Sequence, residues 1–121
     1  NPARKCSLGA SVLVVACAKT SVSGCYGGKD VTKFSNWFMF DLGIAVQNFC
    51  LKAFELGLGT VVVGLLDHDA CARIIELPEG YEAVAVLPVG APASEPKGGP
   101  PRKALKDFVH LDRFGNPFVR G

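Results

Sequence analysis

Side chains able to do covalent or acid–base chemistry are few, and their spacing suits none of the familiar arrangements. The chain has two histidines, His68 and His110, and five cysteines at 6, 17, 25, 50 and 71, with no CxxC pair. No zinc spacing can be assembled from them. His68 at a helix start and His110 in the tail read as exposed polar residues. Ser21 and Ser23 have no base nearby and read as loop residues. There is no G-x-S-x-G elbow, HExxH or Walker loop. An enzyme built on this sequence therefore needs a cofactor to carry the difficult step.

What the sequence offers instead is bare backbone. In "ELGLGTVVVGLLD", residues 55–67, glycines stand at 57, 59 and 64 around three valines. The spacing is not the G-x-G-x-x-G of a dinucleotide site, and the helix comes before the strand rather than after it. Gly64 ends a β-branched run just ahead of Asp67, a residue suited to cap a helix. Main-chain N–H groups between them are free to face a ligand. Arg102 and Lys103, behind a Pro/Gly-rich stretch, are the cations placed to meet a small phosphate.

Around these residues the elements read as follows. "SVLVVAC", 11–17, is a buried strand; its likeness to an export signal or lipoprotein box is the weaker reading of a short apolar run. Residues 19–33 are a loop. A helix runs from Ser35, its N-cap, to Leu56, and Gly57 closes it in the left-handed region. Asp41, Asn48, Lys52 and Glu55 form one narrow polar stripe on it, and apolar residues cover much of the rest, Phe49 among them. Such a helix is buried on more than one side, in a large core or against a second subunit. A strand at 60–64, a helix from Asp67 to Pro78 and a strand at 82–90 follow. Residues 91–121 form an extended arm that includes a short helix in "RKALKDFV". Strands alternating with helices indicate a single mixed α and β domain.

Composition is consistent with this. Apolar residues make up 49% and charged residues 20% of 121, and mean hydropathy is +0.27, greasy for so small a free-standing domain. The surplus asks for a covering partner. Charge is uneven: residues 1–33 carry five basic residues and one acid, 34–96 two and eight, 97–121 six and two. The basic residues are not interleaved with aromatics, so a nucleic-acid partner is not indicated. No apolar run approaches a membrane span. The cysteine pattern fits a reducing compartment, hence the cytoplasm.

"DLGIAVQNFCLKAFELGLGTVVVGLLD", 41–67, then "ELPEGYEAVAVLPVGAPASEP", 76–96, and "RKALKDFVH", 102–110, together resemble the C-terminal part of the nitroreductase family, and "SVLVVACA" falls where that family has a strand. The resemblance covers about residues 8–110. It implies an α+β fold with a mixed sheet flanked by helices and a long buried central helix at a homodimer contact. It implies FMN at the subunit interface, with backbone around Val63, Gly64 and Leu65 near flavin N5, and Arg102, with Lys103 beside it, on the phosphate. It implies an oxidoreductase passing hydride from NAD(P)H to a small acceptor such as a nitroaromatic or quinone. A truncated, non-catalytic dimer-forming relative, or a flavin enzyme doing dehalogenation or flavin breakdown, are the alternatives. Many relatives have an aromatic where Leu65 and Leu66 follow Gly64, and Trp where Val62 stands. The family's opening segment, with its own phosphate contacts, has no counterpart in the sequence, so half of the site is expected to lie outside it.

Overall fold

The two long β-branched runs pair with each other and set the fold. The computed structural model describes residues 2–94 and 98–118. In chain order it contains α1 (Pro2–Leu8), β1 (Val12–Lys19), β2 (Cys25–Tyr26), β3 (Lys29–Asp30), α2 (Trp37–Glu55), β4 (Gly59–Thr60), α3 (His68–Ile74), β5 (Tyr81–Gly90) and one 3-10 turn, Leu105–Asp107. β5 is the central strand of a sheet ordered β1-β5-β4. Both pairings are antiparallel, so the mixed sheet expected from the sequence is wholly antiparallel among the described residues. β1 runs against β5 from Val12 opposite Val89 to Lys19 opposite Tyr81, with a bulge between Ala16 and Cys17.

One face of this sheet carries α2. Ala16, Ala85 and Leu87 are buried there, with Val14 and the helix residues Leu42, Val46 and Cys50 packed on them. Ala53 is the buried residue of α2. Alanines at the contact let the helix axis approach the sheet closely, but they bury little area each. The expected all-round burial of α2 is not what the single chain shows. Phe40, Ile44, Leu51 and Phe54 form a second apolar stripe, within roughly 80° of arc at about 100° per residue. They are 60, 52, 57 and 75% exposed. Phe49 belongs to the flank of the sheet-facing stripe rather than to this outer one. The polar band lies between the stripes, with an exposed ion pair from Lys52 to Glu55.

Local signals explain most boundaries. α2 starts at Asn36 rather than Ser35, without a side-chain cap; the Trp37 indole N–H donates back to the Thr32 hydroxyl and fixes the entry. At its other end Gly57 has φ 74. The Gly57 amide bonds Phe54 and the Leu58 amide bonds Ala53, which satisfies the last carbonyls. α3 ends at Ile74, short of the expected Pro78, because Glu76 adopts φ 53 and Leu77 bonds back to Ala72. Residues 19–33 hold the small β2–β3 hairpin rather than a plain loop; Gly27 and Gly28, both at positive φ, make its turn. α1 was not expected at all.

The chain exposes 9708 Å², against about 6,300 Å² for a compact monomer of this mass. Part of the excess is the arm: the hydrogen bonds of residues 100–118 among the described residues stay within that segment. Residues 95–97 of the expected Pro/Gly loop and 119–121 of the arm lie outside the described residues. No helix among those described is long and apolar enough to cross a membrane.

Candidate functional site

The segment after β4 is held to the sheet and then leaves it. Gly59 opposite Gly90, Thr60 opposite Val89 and Val63 opposite Val86 share one antiparallel register. The buried strand expected at 60–64 is therefore only partly formed. Only Gly59, Thr60 and Val63 pair, while Val61 and Val62 are 42 and 54% exposed. Val63 closes the ladder with two bonds to Val86, each 2.9 Å. Continued in register, Leu66 would face Ala83. Instead the His68 ring takes the Ala83 carbonyl, with Nδ1 at 2.8 Å. The chain thus has two residues more than the ladder needs, and it must bow away from β5.

That bow frees backbone. Among the described residues the amides of Gly64, Leu65 and Leu66 have no hydrogen-bond partner. Leu65 is 78% exposed. A Cβ added at Gly64 would meet no atom within 4 Å, so the glycine leaves space beside the main chain rather than relieving a crowded fold. Asp67 then caps α3, its carboxylate accepting from the Ala70 amide at 2.8 Å, as the sequence indicates.

Beside the bow lies an apolar groove of about 510 Å³ on the sheet face opposite α2. Leu13, Val15 and Val86 floor it, Val63 and Leu65 edge it, and Ile74 of α3 walls it. Val63 and Leu65 are therefore brought to one cleft with Gly64 between them. Free amides next to a dry wall suit the polar edge of a flat heteroaromatic ring, so the residues present fit that end of a flavin.

The phosphate end is placed differently. Arg102 and Lys103 are exposed on the arm. The Arg102 guanidinium donates to Pro100, at 3.4 Å in its own loop. Among the described residues neither side chain has a carboxylate partner, so both remain available to an anion, and neither lines the groove beside the 63–66 segment.

No cluster of His, Cys, Asp or Glu among the described residues could hold a metal ion. The five cysteines are free thiols. Burial, then the neighbouring Cys71, pushes the Cys17 thiol up from its ordinary pKa. The Cys25 thiol, which donates to Asp30 at 3.0 Å, is also raised, chiefly by that hydrogen bond. His110 is half-buried rather than exposed, its ring 4.5 Å from that of Phe114 and its Nδ1 without a partner. The residue that sequence reasoning undervalued is His68. Its ring ties the end of the bow to β5, and nothing in its sequence position distinguishes that from a solvated side chain.

Comparison with known proteins identifies the family and the fold. Residues 7–91 match the model of the nitroreductase family. A relative from Methanothermobacter thermautotrophicus, whose name pairs NADH dehydrogenase with NAD(P)H nitroreductase, is 28% identical over 109 residues, 87% of this chain and 51% of that protein. An NADPH-dependent oxidoreductase of Staphylococcus epidermidis is 31% identical over 77 residues, 61% of this chain and 31% of that protein. The chain therefore spans about half or less of the curated relatives it matches. Among solved structures, one described as an oxidoreductase containing FMN superposes with a TM-score of 0.71 at 22% identity, covering 88% of this chain and 57% of its own. A nitroreductase family protein from Clostridium novyi NT superposes at 0.61 with 23% identity, covering 94% and 57%. At such identities the structural likeness speaks for the fold.

Proposed function

The chain belongs to the nitroreductase family, and from that premise we propose that it supplies the sheet and the backbone-donor loop of an FMN-dependent oxidoreductase. The reaction moves hydride from NAD(P)H to a small acceptor such as a nitroaromatic or a quinone. The observation that carries the proposal is the bow at 64–66, with three unpaired amides next to an apolar groove. The names of the two relatives support an NAD(P)H- or NADPH-linked oxidoreductase, and the FMN-containing fold neighbour supports the cofactor.

Bound FMN would supply the two-electron chemistry that the side chains lack. The chain's own part is to bind and bias. Gly64 and Leu65, whose main-chain N–H groups are unpaired, would hold the polar edge of the ring, and such fixed donors would stabilise negative charge there without reorganisation. Leu13, Val15 and Leu65 would lie against the ring from that side. Arg102 and Lys103 neutralise the phosphate. No side chain acts as nucleophile or general base in this reading.

The outer stripe of α2 supports a homodimer: covering Phe40, Ile44, Leu51 and Phe54 with a second copy would reduce the surface excess described above. Five free thiols fit a reducing compartment, and we place the protein in the cytoplasm.

The test is optical. The purified protein is expected to quench added FMN fluorescence, hold a flavin spectrum through desalting, and bleach under NADH or NADPH without oxygen. A protein that stays colourless and leaves FMN fluorescence unchanged would defeat the proposal. That result would select the second reading, a dimer-forming relative without flavin.

A further inference from the structure

We propose that His68 is a positioning residue for the backbone donors at 64–66: its ring, not the loop's own pairing, fixes the shape of the bow. This rests on the flavin reading for its consequence, though not for its geometry. Two bonds on β5 bracket the segment. Val63 is tied to Val86 through both of its backbone groups, and His68 is tied to Ala83 through its side chain. Three residues of strand separate the anchors, roughly 10 Å at about 3.3 Å per residue. Five residues of chain join them, with a reach of roughly 17 Å. The surplus length makes the bow, and fixing both ends limits the shapes it can take.

The chemistry of the second anchor is specific. A carbonyl oxygen can only accept, so Nδ1 of His68 carries the hydrogen. The cap at Asp67 fixes the start of α3, but it does not tie that helix end to the strand. His68 does. Preorganised donors bind a ligand without first losing loop entropy, so the anchor should appear in affinity as well as in mobility.

The experiment compares His68→Ala, His68→Asn and His68→Gln. The Asn amide nitrogen falls near the position of Nδ1, whereas Gln extends to that of Nε2. Backbone 15N relaxation of Gly64, Leu65 and Leu66 is measured without flavin, and FMN affinity by fluorescence quenching. The native loop should show order parameters near about 0.8, falling below about 0.6 in the Ala and Gln variants and largely restored in the Asn variant. FMN affinity should fall about tenfold in Ala and Gln and stay within about twofold in Asn. Unchanged loop order in His68→Ala overturns the inference, as does an Asn variant as mobile as Ala. If the Ala and Gln variants fail to fold, the Asn variant alone decides: native loop order supports the anchor, and a loosened loop refutes it. Should the loop loosen as expected while the native protein binds no FMN, the anchor stands and the flavin reading falls.

Discussion

Replacing Gly64 by valine separates the needs of the fold from those of a ligand. The structure sets the fold's share close to zero. A Cβ there meets nothing within 4 Å, and Gly64 is not among the glycines at positive φ. A surface change of that kind stays within about 0.5 kcal/mol, or about 2 °C in Tm for a chain of this size. Any stabilisation from the lost glycine entropy acts in the opposite direction to a loss. The ligand's share is large. An isopropyl group in the space beside the main chain holds a flat ring off the Gly64 and Leu65 amides. Two hydrogen bonds at about 0.5–1.5 kcal/mol each amount to about 1–3 kcal/mol, or about five- to 150-fold in Kd. FMN titration by fluorescence quenching, with a thermal melt on the same samples, reads both quantities, and Gly64→Ala should fall between. Native FMN affinity with native Tm would show that no ring approaches this backbone. A Tm lowered by many degrees would show that the space at Gly64 is filled.

Other outcomes follow from single features. Arg102→Ala should weaken FMN about tenfold or more, through loss of a charge-assisted phosphate contact, and should leave riboflavin binding unchanged; equal losses for both ligands would misplace the anchor. Phe54→Asp should convert dimer to monomer in sedimentation without unfolding, since Phe54 is 75% exposed in the single chain; a persistent dimer would place the contact elsewhere. Gly57→Ala should destabilise by about 1 kcal/mol in urea, because φ 74 costs an L-residue about 1–2 kcal/mol, partly offset in the unfolded chain. Glu76→Gly at φ 53 should be neutral to mildly stabilising. The Cys17 thiol, raised by burial, should alkylate more slowly than exposed Cys6 at pH 8. Because its folded pKa lies above its unfolded one, its contribution to stability is complete below the unfolded value and is lost as pH rises through the folded one.

Much of this molecule was legible where one local rule decides. Gly57 as a left-handed stop, Asp67 as a cap and the strands read at 11–17 and 82–90 are fixed by sterics and hydrogen bonds a few residues apart. Gly64 as open backbone was legible for a related reason: nothing around it in the sequence needed a glycine for the fold. Features set by distant residues were not. The end of α3 depends on Glu76 entering a region that glycine favours, and no sequence rule announces that. The two spare residues before His68 appear only once Val63 and Ala83 are known to share a strand pair. α2 reads as buried on several sides because hydrophobicity cannot tell a wall inside a subunit from a wall between two. The Arg102 arm was placed at the site by resemblance, and neither Arg102 nor Lys103 lines the groove beside the loop.

The alanines at the contact between α2 and the sheet have a thermodynamic consequence. An interior made largely of methyl groups gives the single chain little reserve against unfolding, and many of the larger apolar side chains lie exposed, where the proposed dimer would cover those of α2. Melting temperature should therefore climb with protein concentration, and dilution should act as a denaturant.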